Sequence, residues 1–311
     1  MLNSSKKTMA KSIIAISQLI PVFKARGSYS SLGKTPSSLP KMDFADEFPE
    51  AAFEYSDSNN LVRNFPDQDI GKLIQDKIVL DLGSGYGGRT VWYAEKARWV
   101  WGIEIFPSVV AKSAQFAELA GTKNVNFVVG QEDAINFPQN YFDVVISFDV
   151  LEHVQSPDVM MQEVMRVLKP GGYAVIIFTP YFGLFNHHLN YITLFPGIHY
   201  VFSADTLITA INELLLEDPW VQALGMQQQP RPKMSYHNKY KVLPTVNGIR
   251  KSDYLKIVDE LGFRIERIRA TPILEKFQFL GKPGIMLNRA INAIPYLDEF
   301  FLHNLASILR K

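Results

Sequence analysis

The chain has 311 residues, of which 47% are hydrophobic and 20% charged, and a formal net charge of +1. This length favours one sizeable core with insertions over two equal domains, and no apolar run approaches the roughly 20 residues that a membrane-spanning helix needs. The absence of cysteine excludes disulfides, thiolate zinc sites and a cysteine nucleophile, and leaves the redox compartment open.

The small net charge hides an asymmetry. Residues 1–42 carry seven basic side chains (Lys6, Lys7, Lys11, Lys24, Arg26, Lys34 and Lys41) and no acid, which leaves 25 basic against 31 acidic residues, or −6, for the rest. An acidic body argues against a nucleic-acid partner, because phosphate backbones select clustered Lys and Arg. The basic, Ser-rich segment has an apolar stretch, Ile13 to Ile20, that suits a short amphipathic helix ended by Pro21. Its composition is compatible with a flexible arm, a mitochondrial-type presequence or a peripheral membrane anchor. A secretory signal fits least, because Ser17, Gln18 and Pro21 interrupt the apolar core. The compartment expected is cytoplasmic, with mitochondrial as the alternative.

From Lys77 onward, apolar β-branched runs alternate with helical patterns. Strands are predicted at Lys77–Leu82, Trp99–Ile105, Val125–Val129, Phe142–Ser147 and Tyr173–Phe178. Helices are predicted at Gly87–Lys96, Pro107–Ala120 and Pro157–Leu168, the second with proline in its first turn, where a missing N–H costs nothing. The strands are near-continuous rather than alternating, as expected when helices cover both faces. This pattern predicts a doubly wound, mostly parallel α/β sheet. Beyond Phe178, residues 181–202 hold three histidines and seven Phe or Tyr. Ser203 and Ser252 are predicted to cap further helices, Phe263–Ala270 reads as a strand, and Pro283–Lys311 as one or two amphipathic helices.

The segment D-L-G-S-G-Y-G-G at 81–88 contains Gly83, Gly85 and Gly88 in the G-x-G-x-x-G spacing of dinucleotide sites. Charge decides what such a loop holds. A pyrophosphate would be repelled by the carboxylate of Asp81, whereas S-adenosylmethionine offers an ammonium and a sulfonium that a carboxylate attracts. Glu104, 23 residues on in W-G-I-E-I, suits the 2′,3′-diol of a ribose, at roughly 1.5–3 kcal/mol per hydrogen bond to a charged acceptor. It fits NAD and S-adenosylmethionine alike.

With these residues in view, the chain resembles the class I S-adenosylmethionine-dependent methyltransferases, in the style of the small-molecule branch typified by quinone-biosynthesis enzymes. The resemblance runs through V-L-D-L-G-S-G-Y-G-G (79–88), W-G-I-E (101–104), V-G-Q-E-D-A-I-N-F-P (129–138), Y-F-D-V-V-I-S-F-D-V-L-E-H-V (141–154) and V-M-R-V-L-K-P-G-G-Y (164–173). It implies a Rossmann-like sheet of seven strands with helices on both faces, to which the residue pattern adds an inserted substrate lid and C-terminal helices. It also implies S-adenosylmethionine as cofactor. Asp81, Gly83, Ser84, Gly85 and Tyr86 would line the methionine, and Glu104 with Ile105 the ribose. One of Gln131, Glu132 and Asp133 would meet adenine, while Phe148 and Asp149 face the methionine and the acceptor. Leu151 and Val154 read as core, His153 as a hydrogen-bonded structural histidine, and 169–172 as a turn.

No metal-ligand constellation is visible, since His187 and His188 are adjacent and cysteine is absent. Tyr181, His187, His188, Tyr191, His199 and Tyr200 are candidates for a base or for positioning the acceptor; the first reading of each aromatic alone is packing. As a group they suggest a lid over a small, partly apolar acceptor. The organisation expected is a basic flexible arm (1–42), a cap segment (43–76), the cofactor-binding core (77–180), an acceptor-binding insertion (181–250), the end of the core sheet (251–282) and a helical tail (283–311). The competing functions are an NAD-dependent oxidoreductase and a non-catalytic methyltransferase-like scaffold. The oligomeric state is not legible.

Overall fold

The structure, a computed structural model, describes residues 2–17, 47–189, 193–217, 246–272, 294 and 297–311. Tyr191, the polar stretch Gln227–Lys241, residues 18–42 and most of 283–296 lie outside the described residues. The chain divides into two compact units, one formed by Gly33–Phe178, Lys251–Thr271 and Asn304–Lys311, the other by Met1–Leu32, Thr179–Arg250 and Pro272–His303.

The first unit is built on seven strands: β1 (Ile78–Leu82), β2 (Trp99–Glu104), β3 (Val125–Val129), β4 (Phe142–Phe148), β5 (Leu168–Phe178), β6 (Arg264–Pro272) and β7 (Leu302–Arg310). Their order is β3-β2-β1-β4-β5-β7-β6. The pairs β1–β2, β1–β4, β2–β3 and β4–β5 are parallel, whereas β7 runs antiparallel to β5. The sheet is thus the Rossmann-like, mostly parallel arrangement that the alternating pattern predicts. Strand order reverses between β1 and β4, which places a ligand crevice at their carboxyl ends. Val79, Leu80, Val145 and Ile146 are fully or almost fully buried, because helices cover both faces. Asp143 ties three strands together: its carboxylate accepts from Ile78 N–H at 2.9 Å and pairs with Lys169 at 2.8 Å.

The helices α2 (Pro49–Asn64), α3 (Ile70–Ile74), α4 (Gly88–Ala94), α5 (Pro107–Leu119), α6 (Pro157–Val167) and α9 (Lys251–Glu260) belong to this unit. Ser252 lies inside α9 rather than capping it. The larger correction concerns the tail. After a single helical turn, α10 (Leu297–Phe300), the chain forms β7 and not a helix. Leu302, Leu305, Ala306, Ser307, Ile308 and Leu309 are all buried, which an amphipathic helix would not allow. A short apolar run carries no periodicity that separates strand from helix, so only its neighbours β5 and β6 settle it.

The second unit contains α1 (Leu2–Ser17), α7 (Ile198–Val201) and α8 (Ala204–Glu217). Ala10 and Ile14 of α1 are buried with Leu207, Ala210 and Ile211 of α8. Lys7 and Lys11 both pair with Glu213, at 2.7 and 3.2 Å. The expected flexible arm is therefore a packed helix over residues 2–17. It begins well before the Ile13–Ile20 stretch, because Lys, Thr and Ser suit its solvent face. Ser203 caps α8 as predicted, its hydroxyl accepting from Thr206 N–H at 3.3 Å.

Candidate donor site

The glycine loop leaves β1 at the switch point. Gly83 and Ser84 donate N–H bonds to the Ile103 carbonyl at 2.9 and 2.8 Å, which folds the loop across the end of β2. Gly83, at φ 75°, approaches the segment after β4 so closely that an added Cβ would stand 2.2 Å from Val150 Cγ2. No L side chain fits there, in space or in conformation.

Asp81 is 3% exposed. Its Oδ2 accepts the Thr90 hydroxyl at 2.6 Å. Desolvation is the main influence and pushes its carboxyl up to about 6; Thr90 and Arg89 pull down and Glu104 adds a smaller push. Glu104 turns Oε1 onto the N–H groups of Ile105 and Phe106, at 2.8 and 3.2 Å. Its carboxyl is likewise raised by burial. Two acids at the carboxyl ends of adjacent strands, both held above their ordinary range, form a place where a positive charge is stabilised.

Asp149 follows β4 at φ 56°. Protein atoms crowd its carboxyl although the residue stays accessible to solvent. Desolvation raises it first and the Glu152 charge second, against the pull of Arg89 and His153. Phe148 beside it lies under the Arg89 guanidinium, 4.2 Å from the ring centroid. Tyr86 is half-buried in the loop, with Lys112 5.7 Å from its ring centroid. After β3, Gln131 bridges to Ala134; Gln131 and Asp133 are exposed and Glu132 half-buried. Arg166 anchors the next few residues of the chain, donating to the Ile135 and Phe137 carbonyls at 2.7 Å each.

Sequence reasoning missed several participants. Glu54 of α2 accepts from Tyr86 N–H and Gly88 N–H, each at 3.0 Å. Burial dominates its environment and raises its carboxyl to about 7. One turn on, Asp57 pairs with Arg89 at 2.9 Å. Nothing in the spacing of 43–76 signals these contacts, because α2 reaches the loop only through folding. Arg89 and Thr90, by contrast, adjoin the glycines and are readable as neighbours of the site.

The catalytic candidates of the second unit form their own cluster. Tyr181 meets His199 with ring centroids 5.0 Å apart, and His199 meets His187 at 5.7 Å and Tyr200 at 4.1 Å. His187 is fully buried, and its Nδ1 accepts from Leu189 N–H at 3.1 Å. Burial, helped by His199, lowers it to about 3, and burial lowers His199 to about 4. Both imidazoles are neutral at pH 7 and are weak bases. His188 is half-buried at φ 55°. Among the described residues no group of three His, Cys, Asp or Glu could hold a metal, and no helix is long and apolar enough to cross a membrane.

Comparison with known proteins finds methyltransferases. Residues 80–176 match the family described as a methyltransferase domain. An uncharacterized methyltransferase of Mycobacteroides abscessus is 25% identical over 170 residues, 54% of this chain and 66% of that protein. The 2-methyl-6-phytyl-1,4-hydroquinone methyltransferase of Synechocystis is 35% identical over 32% of this chain and 30% of its own. Norajmaline N-methyltransferase of Rauvolfia serpentina is 35% identical over 32% of this chain and 35% of its own. The chain spans less than two thirds of the length of these curated relatives. A solved S-adenosylmethionine-dependent methyltransferase from Mesorhizobium loti superposes with a TM-score of 0.49 at 16% identity, over 82% of this chain and 98% of that one. The strand order and the residue match define a class I methyltransferase domain. Over residues 80–176 the chain carries a match to the methyltransferase-domain family.

Proposed function

We propose that the protein transfers a methyl group from S-adenosylmethionine to a small, partly apolar acceptor by in-line displacement. The observation that carries this reading is the pair of raised carboxylates, Asp81 and Glu104, at the ends of β1 and β2. A cationic donor relieves the cost of ionising them there, whereas a phosphate would add to it. The buried Ser84 hydroxyl, which has no hydrogen-bond partner among the described residues, fits a polar ligand at the same loop.

In this reading Asp81 attracts the donor's ammonium, Glu104 accepts from the ribose hydroxyls, and one of Gln131, Glu132 and Asp133 accepts from adenine. Ser84, Gly85 and Tyr86 line the methionine arm, and Phe148 and Asp149 border it. The donor supplies an already activated methyl group, so the protein contributes alignment and exclusion of water, together worth up to roughly 7–11 kcal/mol. Tyr181, His187, His188 and His199 are assigned to the acceptor. For His187, buried, and His199, half-buried, both lowered toward the neutral form, the role is positioning by hydrogen bonds and ring contact rather than proton abstraction. The names of the hydroquinone and norajmaline relatives support a small-molecule acceptor.

Isothermal titration with S-adenosylhomocysteine tests the donor site, and absence of binding at near-millimolar concentration overturns it. Incubating enzyme and S-adenosylmethionine with a metabolite extract, followed by mass spectrometry, tests the reaction. The expected result is a product heavier than its precursor by one methyl group in place of one hydrogen.

A further inference from the structure

We propose that Glu54 is a specificity-determining residue of the donor site: its carboxylate takes the loop amides that a nucleotide phosphate would otherwise use, and so bars phosphate-bearing cofactors from the glycine loop. The inference rests on the donor-site reading above, and it assigns the loop's selectivity to a side chain outside the loop.

In dinucleotide sites the glycines of G-x-G-x-x-G clear space so that a pyrophosphate can rest on exposed backbone N–H groups. In this protein that space is filled from α2. Both oxygens of Glu54 are engaged as a fork, Oε1 with Tyr86 N–H and Oε2 with Gly88 N–H, each at 3.0 Å. A Cβ built on Gly85 would lie 2.5 Å from Glu54 Oε1, so the carboxylate rests directly on the loop where that glycine leaves room. A Cβ on Gly88 would meet the backbone of the same helix, 1.9 Å from Ala51 O and 2.6 Å from Tyr55 N. The glycine spacing is therefore kept, but two of its three glycines admit a helix and its carboxylate in place of a phosphate.

Charge acts in the same direction. An arriving phosphate would lose both amide donors and, at a pH above about 7 where Glu54 is ionised, meet a negative group at contact distance, a loss of at least about tenfold in affinity. The neighbouring cation does not offset it, because Arg89 is drawn to Asp57 of the same helix at 2.9 Å and stacks on Phe148. A sulfonium donor has no phosphate to place, and the extra negative charge favours it.

The test uses the full chain and isothermal titration with two probes that share adenosine: S-adenosylhomocysteine, which lacks phosphate, and ADP, which has a diphosphate. Wild-type protein is expected to bind S-adenosylhomocysteine and to show no ADP binding at millimolar concentration. Glu54→Ala is expected to raise ADP affinity relative to S-adenosylhomocysteine by about tenfold or more. Glu54→Gln, which removes the charge and keeps the bulk, should move the ratio the same way by less. Wild-type protein that binds ADP as tightly as S-adenosylhomocysteine overturns the proposal without any variant. An unchanged ratio in a folded variant that still binds S-adenosylhomocysteine overturns this proposal alone. Failure of the wild type to bind S-adenosylhomocysteine overturns the donor-site reading, and this proposal with it.

Discussion

Gly88 and Ala51 stand so close that a Cβ on the glycine would lie 1.9 Å from the alanine carbonyl oxygen. That approach brings α2 against the start of α4 and delivers Glu54 to the loop. Gly88→Ala cannot be absorbed by a side-chain movement, because the obstacle is backbone. We expect a loss of about 1–3 kcal/mol or more from overpacking, read as a lower urea midpoint. S-adenosylhomocysteine binding should weaken in parallel, since separating the two helices withdraws Glu54. A variant with unchanged midpoint and affinity would show that the two helices yield easily.

Glu104→Ala removes the acceptor assigned to the ribose. S-adenosylhomocysteine affinity is expected to fall by about tenfold or more, from the value of hydrogen bonds to a charged acceptor. Glu104 also accepts from the Gly85 backbone of the glycine loop, besides Ile105 and Phe106 next to it in the chain, so thermal denaturation of the variant should accompany the titration. Unchanged affinity in titration calorimetry would move the ribose elsewhere.

Glu54 and Asp81, raised to about 7 and about 6, make donor binding depend on pH. Both are acids, so each loses its charge as pH falls through its raised value. Affinity for S-adenosylmethionine should therefore weaken as pH drops from about 8 to about 5.5, by about tenfold. The free protein responds with the opposite sign. Each carboxyl is harder to ionise folded than unfolded, so this contribution to stability is fully present below about 4 and is lost as pH rises from there to about 6 to 7. Thr90→Val, which deletes the bond holding Asp81 ionised, should shift the binding midpoint to higher pH. A flat affinity profile in wild type would remove these acids from the donor site.

Ile14 of α1 is 1% exposed, and Ile16, two residues on, is 55% exposed. Ile14→Ala should cost about 2–4 kcal/mol by emptying the contact with α8, and Ile16→Ala should be near neutral. Thermal denaturation of the two variants separates a packed helix from an arm. Equal melting temperatures would count against the packing described.

The five parallel strands, their helices, the glycine loop and its two acids were legible in the sequence because each depends on local features. Buried strands read as continuous apolar runs, helix starts carry proline or serine, and a carboxylate beside a tight turn selects charge over a few ångströms. The tail was not legible. Leu302–Arg310 has no periodicity that distinguishes a strand from a helix, and becomes β7 only because β5 presents an unpaired edge to it. The N-terminal helix was half legible: its composition suggests an arm, while its burial depends on an apolar face of α8 about 200 residues away in sequence.

The site divides in the same way. The sequence by itself determined the expectation that an adenosine-bearing, cationic ligand meets the end of β1, because Asp81, Gly83, Gly85 and Glu104 lie on one strand-loop pair and the next strand. Only the tertiary structure brought Glu54 and Asp57 to that loop, since a helix some two dozen residues before Asp81 leaves no local trace of what it will touch. It also buried the histidine at 187 and half-buried the one at 199, an environment that lowers both imidazoles. Burial is a property of the whole fold, and the shift it imposes on an imidazole or a carboxyl cannot be read from the residue or its neighbours in the chain.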